Sequence, residues 1–287
     1  MSSTSLLPEN LKERVLAALG FSSPPAVSLE GLTRLYQVWC QRVPFDNVRK
    51  LVNLQQPKRG PLPGSGGEDY LEGWLKHRAG GTCWAGSNAL YCLLRDLGFE
   101  AERCIATMLA APHLPPNHGS VRVRVGEAYY LVDTAILCGE PILLTESGAS
   151  EVSHPAWGIQ AQTQDGYWYV NWRPLHQPTG FECRFDRFGA EHEEYRDRYE
   201  DTRGWSPFNY QVNARTNRGD EVIGLAFGNA VTLHGDGSIE IREVDDAERR
   251  RILLEDFGMS EELVNQMPAD RPTPPPPGSH TAAAAES

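Results

Sequence analysis

No run of about 20 apolar residues, the length a helix needs to cross a bilayer, occurs anywhere in the sequence. The opening MSSTSLLPENLKERVL lacks the positively charged start and apolar core of a secretory leader. There is no CxxC or HExxH pair, and His118 has no second His or Cys at ligand spacing, so no metal site is expected. The nucleotide patterns GxGxxG and GxxxxGK[ST] are missing as well. Cysteines are few, at 40, 83, 92, 104, 138 and 183, without the dense spacing of a disulfide scaffold; they read as reduced thiols in a cytoplasmic protein. Positive charge is short too: 27 Lys and Arg face 38 Asp and Glu, a formal net charge of -11. An acidic surface repels phosphate, so neither nucleic acid nor a membrane is expected as a partner.

What is present divides the chain by period. Residues 1–100 read as a helical domain. Helices are expected over residues 11–19, ending at Gly20, and after Ser28, where Leu29, Leu32, Leu35, Tyr36 and Trp39 form an apolar series. VPFDN reads as a turn, and the Pro- and Gly-rich residues 54–67 as a surface loop. In GGTCWAGSNALYCLLRDLGF, Leu90, Leu93, Leu94 and Leu97 recur at helical spacing and Gly98 suits a left-handed cap, which puts Cys83 in the first turn of a buried helix. From Phe99 the pattern alternates: residues 101–205 read as a β domain, 206–267 as a smaller α/β lid, and 268–287 as a disordered tail.

A thiol attacks only as thiolate, and a helix N-terminus stabilises that form through its dipole and unsatisfied N–H groups. The same N–H groups can hold a tetrahedral oxyanion, and Gly80 and Gly81 allow close approach of a backbone or an acyl group. If SVRVRV and AYYLVD pair about a two-residue turn at Gly126 and Glu127, Val125 faces Ala128 and Ser120 faces Asp133. His118 and Asp133 then share a sheet face as diagonal neighbours, roughly 7–8 Å apart along the backbone, within side-chain reach. A slip of one residue would put them on opposite faces. Cys83, His118 and Asp133 are thus the candidate nucleophile, base and orienting carboxylate. Cys138, beside Gly139, is the other cysteine considered as a pocket residue. Trp168, Trp172 and Trp205 are expected to support the sheet and lid.

Around these residues the sequence resembles the arylamine N-acetyltransferases. GGTC resembles that family's GGxC, VPFDN its IPFEN-like segment, and NHGSVRVRVGEAYYLVD the stretch with the triad His and Asp. The resemblance implies an α+β fold: a helical domain with the nucleophile, a central antiparallel barrel-like domain and an α/β lid on a core like that of cysteine proteases and transglutaminases. It implies ping-pong transfer from acetyl-CoA or another acyl-CoA, used as co-substrate with no permanent cofactor, through Cys83 to an arylamine, hydrazine or related amine. It also implies that Phe45, Gly80, Gly81 and Trp84 bind substrate. The sequence departs from the family at Arg78, one residue too far before the glycine pair, at Ala85, at Asn88 and in Thr134, Ala135, Ile136 and Leu137 after the triad Asp. Three alternatives stay open: an amide synthase fed by an acyl carrier protein, a transglutaminase-like or amide-hydrolysing enzyme, and a silent scaffold.

Overall fold

In a computed structural model, the structure describes residues 5–56, 60–110, 114–146, 148–154, 156, 158–175, 177 and 179–277. The chain runs α1 (Glu9–Ala18), α2 (Leu29–Arg42), β1 (Phe45–Asp46), α3 (Val48–Leu54), α4 (Gly67–His77) and α5 (Cys83–Asp96). Strands follow: β2 (Glu100–Met108), β3 (His118–Val125), β4 (Ala128–Val132), β5 (Ile142–Leu144), β6 (Ala149–Val152), β7 (Ile159–Gln164), β8 (Tyr167–Trp172) and β9 (Phe181–Phe188). After α6 (His192–Asp201) come β10 (Asn213–Arg218), β11 (Glu221–Ala226), β12 (Asn229–Leu233), β13 (Ile239–Glu243), α7 (Asp246–Glu255) and α8 (Glu261–Val264).

The expected α+β architecture holds. The Ser28 side chain accepts the Gly31 N–H and starts α2, whose Leu32, Leu35, Tyr36 and Trp39 are buried. Gly98, at φ 92°, follows the end of α5. Strands β2 to β9 form one antiparallel sheet in the order β5-β4-β3-β2-β9-β8-β7-β6, and contact between its end strands β5 and β6 curls it into a nearly closed barrel. One hydrophobic core joins this barrel to α2, α4 and α5. A second core packs α7 and α8 against α3 through Ile252, Leu253, Val264, Val48 and Leu51.

VPFDN is not a free turn. Phe45 and Asp46 form β1, an edge strand of the five-stranded sheet β1-β10-β11-β12-β13, with Phe45 opposite Arg215. Two residues are too few to show a period, and their pairing partner lies some 170 positions away, so local sequence reads only the bend. Asp46 fixes this crossing: its Oδ1 accepts the Val48 N–H at 3.0 Å and its Oδ2 the Gly80 N–H at 2.5 Å. Burial pushes its carboxyl up to about 6, against the pull of those N–H groups and Arg49. Asp46→Ala leaves two buried N–H groups without an acceptor and is expected to lower the unfolding free energy by roughly 2–4 kcal/mol, read from urea titration.

Residues 268–277, at the head of the segment expected to be disordered, carry no helix or strand but are bonded to residues between 210 and 249. Asp270 accepts the Val212 N–H at 3.0 Å and pairs with Arg249, and the Arg271 N–H donates to the Tyr210 carbonyl at 3.0 Å. The remainder of that segment lies outside the described residues.

Candidate active site

Cys83 is the first residue of α5, after Thr82 in extended conformation, and is 5% exposed. The two glycines before it serve a crossing backbone. A Cβ on Gly80 would stand 1.9 Å from the Pro44 carbonyl oxygen, and one on Gly81 would meet the Tyr70 ring at 2.9 Å. Gly81 also bridges Phe45. The turn before Cys83 is thereby pressed against β1, and neither glycine lines the cavity that Cys83 faces.

The hairpin that carries the other two residues has the expected register. Val125 pairs with Ala128 and Val121 with Val132, about a turn in which Gly126 has φ 61°. His118 begins β3, Asp133 follows β4, and His118 Nε2 lies 2.7 Å from Asp133 Oδ2, both side chains buried. Asp133 Oδ1 accepts the Ala135 and Ile136 N–H groups at 2.9 Å each. Burial alone would lower the His118 value, but the Asp133 carboxylate and the Cys83 sulfur outweigh it and hold the imidazolium up to about 10. Burial would raise the Asp133 carboxyl, yet His118 and donors including the Ile136 N–H keep it below the usual carboxylate range. With Nε2 engaged by Asp133, Nδ1 is the ring nitrogen left to the Cys83 sulfur.

Cys83 and His118 line one cavity of about 110 Å³. Its walls are mostly apolar, including Phe45, Trp172, Leu175, Phe181, Phe208 and Leu225. Phe45 meets Phe208 edge-on with ring centroids 5.2 Å apart. The helical part, the barrel and the C-terminal sheet therefore all contribute to one pocket.

Residues 28–265 match the sequence profile of the N-acetyltransferase family. The chain belongs to that family. The arylamine N-acetyltransferase of Mycobacterium abscessus is 18% identical, with 89% of this chain and 92% of that one covered and a TM-score of 0.74. That of Salmonella typhimurium is 19% identical, with 87% and 91% covered and a TM-score of 0.72. The Mycobacterium marinum enzyme in complex with CoA is 17% identical, with 88% and 96% covered and a TM-score of 0.73. At these identities the likeness is one of fold. A search of curated proteins by sequence returns no match.

Of the substrate-binding positions expected for an N-acetyltransferase, Phe45 lines the pocket, whereas Gly80, Gly81 and Trp84 do not. The Trp84 indole instead packs edge-on against Tyr195, at 4.8 Å between centroids, because α6 covers this side of α5. Gly119 makes room for that pair: a Cβ there would lie 2.2 Å from the Tyr195 hydroxyl. Cys138 sits behind Asp133, fully buried and off the pocket wall, its Sγ 3.3 Å from the Tyr36 hydroxyl. Trp172 does more than support its sheet, since it walls the pocket. Sequence reasoning reads Tyr36 as core alone, yet its hydroxyl donates to the Asp133 carbonyl at 2.7 Å and accepts the Asp133 N–H at 3.0 Å. No local pattern marks it, because the partner is 97 residues away.

Proposed function

We propose that this protein transfers an acyl group, acetyl in the simplest case, from CoA through Cys83 to the nitrogen of an arylamine, hydrazine or related amine. The observation that carries this reading is the Cys83 sulfur at a helix start, on the wall of one apolar cavity with an imidazole bonded to a buried carboxylate. The CoA complex of the Mycobacterium marinum relative, which has the same fold, supports CoA as donor. Aromatic walls at Phe45, Trp172, Phe181 and Phe208 suit a flat acceptor.

His118 takes the Cys83 proton, and Asp133 fixes its ring and stabilises the imidazolium. The thiolate attacks the thioester carbonyl, and N–H groups at the start of α5 receive the oxyanion. The bond to the CoA sulfur breaks, His118 returns the proton to that sulfur, and the acyl group stays on Cys83. An amine then attacks, His118 takes its proton as the new C–N bond forms, and the Cys83 sulfur leaves as thiolate. The helices supply the nucleophile, the barrel the base and carboxylate, and the C-terminal sheet the closing wall. A cytoplasmic setting fits six free cysteines, all buried.

Incubation with acetyl-CoA is expected to add one acetyl group to the peptide containing Cys83, and addition of aniline to remove it as acetanilide. An intact mass that does not change, or acid released from simple amides without any thioester donor, would overturn the assignment.

A further inference from the structure

We infer that Arg215 equips the pocket for a substrate that carries a carboxylate, with the acid group on Arg215 and the reacting centre at Cys83; this rests on the acyl-transfer reading above. Along β10, Asn213, Arg215 and Asn217 alternate onto one face, and all three are buried. Arg215 stands directly opposite Phe45, so the two side chains leave their sheet on the same side, and both line the cavity with Cys83 and His118. On its other flank Arg215 faces Gly224, where a Cβ would meet the Ala214 carbonyl oxygen at 2.0 Å and the Leu175 side chain at 2.4 Å.

The guanidinium is poorly satisfied for a buried cation. Arg215 is 3% exposed; its Nη1 donates to the Arg173 carbonyl at 3.0 Å, while Nε and Nη2 are buried without a hydrogen-bond partner among the described residues. Its charge lies 5.4 Å from the Trp172 ring centroid, inside the pocket wall. The neighbours that could neutralise it do not. Tyr36, Cys40 and Cys138 stay protonated because burial holds their ionisation high, and Asp133 is engaged by His118 and two backbone N–H groups. A buried guanidinium without a counter-ion is costly to the free protein, and a bound carboxylate offers two acceptor oxygens in the geometry of its fork. The other pocket walls are mostly apolar, so a flat ring bearing an acid matches what the cavity presents.

Two substrates can bring the carboxylate, the amine acceptor or a dicarboxylic acyl group, and the test separates them. Aminobenzoate isomers are compared with their methyl esters as acceptors of acetyl-CoA, and succinyl-CoA with acetyl-CoA as donors to aniline. The acid is expected to exceed its neutral counterpart in kcat/KM by roughly 10-fold or more in one arm, which names the source, and Arg215→Gln is expected to collapse that ratio toward one. Benzoate, which has no amine, is expected to slow alkylation of Cys83 by iodoacetamide more than benzamide does. That measurement uses the unaltered chain and holds if the variant fails to fold. Equal use of acid and neutral partners in both arms, with benzoate no better than benzamide and Cys83 still acetylated by acetyl-CoA, overturns the role of Arg215. Protection by benzoate without acetylation of Cys83 would instead sink the acyl-transfer reading and leave the anion site standing.

Discussion

Cys83→Ala is expected to reduce amine acetylation by roughly 10⁴- to 10⁶-fold, because a methyl group can neither attack the thioester nor hold the acyl group between half-reactions. The same change touches little else. The Cys83 sulfur heads α5 at the edge of the cavity, and its removal is expected to move the unfolding free energy by about 1 kcal/mol or less. Steady-state acetylation of aniline, run beside urea unfolding, separates the two effects. Turnover within tenfold of the unaltered protein would show that the acyl group does not pass through this sulfur.

Asp133→Asn is the second large loss, expected at roughly 10²- to 10⁴-fold in kcat. The introduced amide keeps an oxygen for the Ala135 and Ile136 N–H groups, so the turn after β4 survives. What disappears is the negative charge against His118. Burial then acts on the imidazole with less opposition, and its value falls from about 10. The sign of the stability effect follows from both partners. His118, raised from its ordinary 6.5, contributes stability that is complete below that pH and lost as pH climbs through about 10. Asp133, held below its ordinary 3.8, contributes stability present above that pH and lost as pH falls through its lower folded value. The unaltered protein should therefore be most stable between about pH 4 and 6.5 as far as this pair is concerned, and Asp133→Asn should weaken both limbs. Denaturant midpoints measured across pH check this; a variant with an unchanged profile would deny the pair its electrostatic role.

The candidate site was legible where chemistry and local geometry coincide. GGTC before a leucine period marks a cysteine at a helix start, and an even-length turn puts His118 and Asp133 on one face. What stayed hidden depends on contacts between distant segments. The Phe45 and Asp46 strand is two residues long, and nothing near it announces β10. HEEYRDRYED, which forms α6, is almost wholly polar; its only trace of a buried face is Tyr195 and Tyr199, four apart. Arg215 looks like one more exposed arginine until β10 is placed beside Phe45 and the chain closes over it. Trp84 is misread from sequence for the same reason, since an aromatic beside the nucleophile points to the substrate only if no helix covers it.

The dependence of β1 on β10 orders events during synthesis. A growing chain has its sulfur, imidazole and carboxylate once residue 133 has been made, but Phe45 finds its partner only when residues 213–218 follow. Until then the half-built chain has these three side chains without the wall that Phe45 and β10 give their cavity. Closure of the pocket around Cys83 thus waits on the late-made part of the polypeptide.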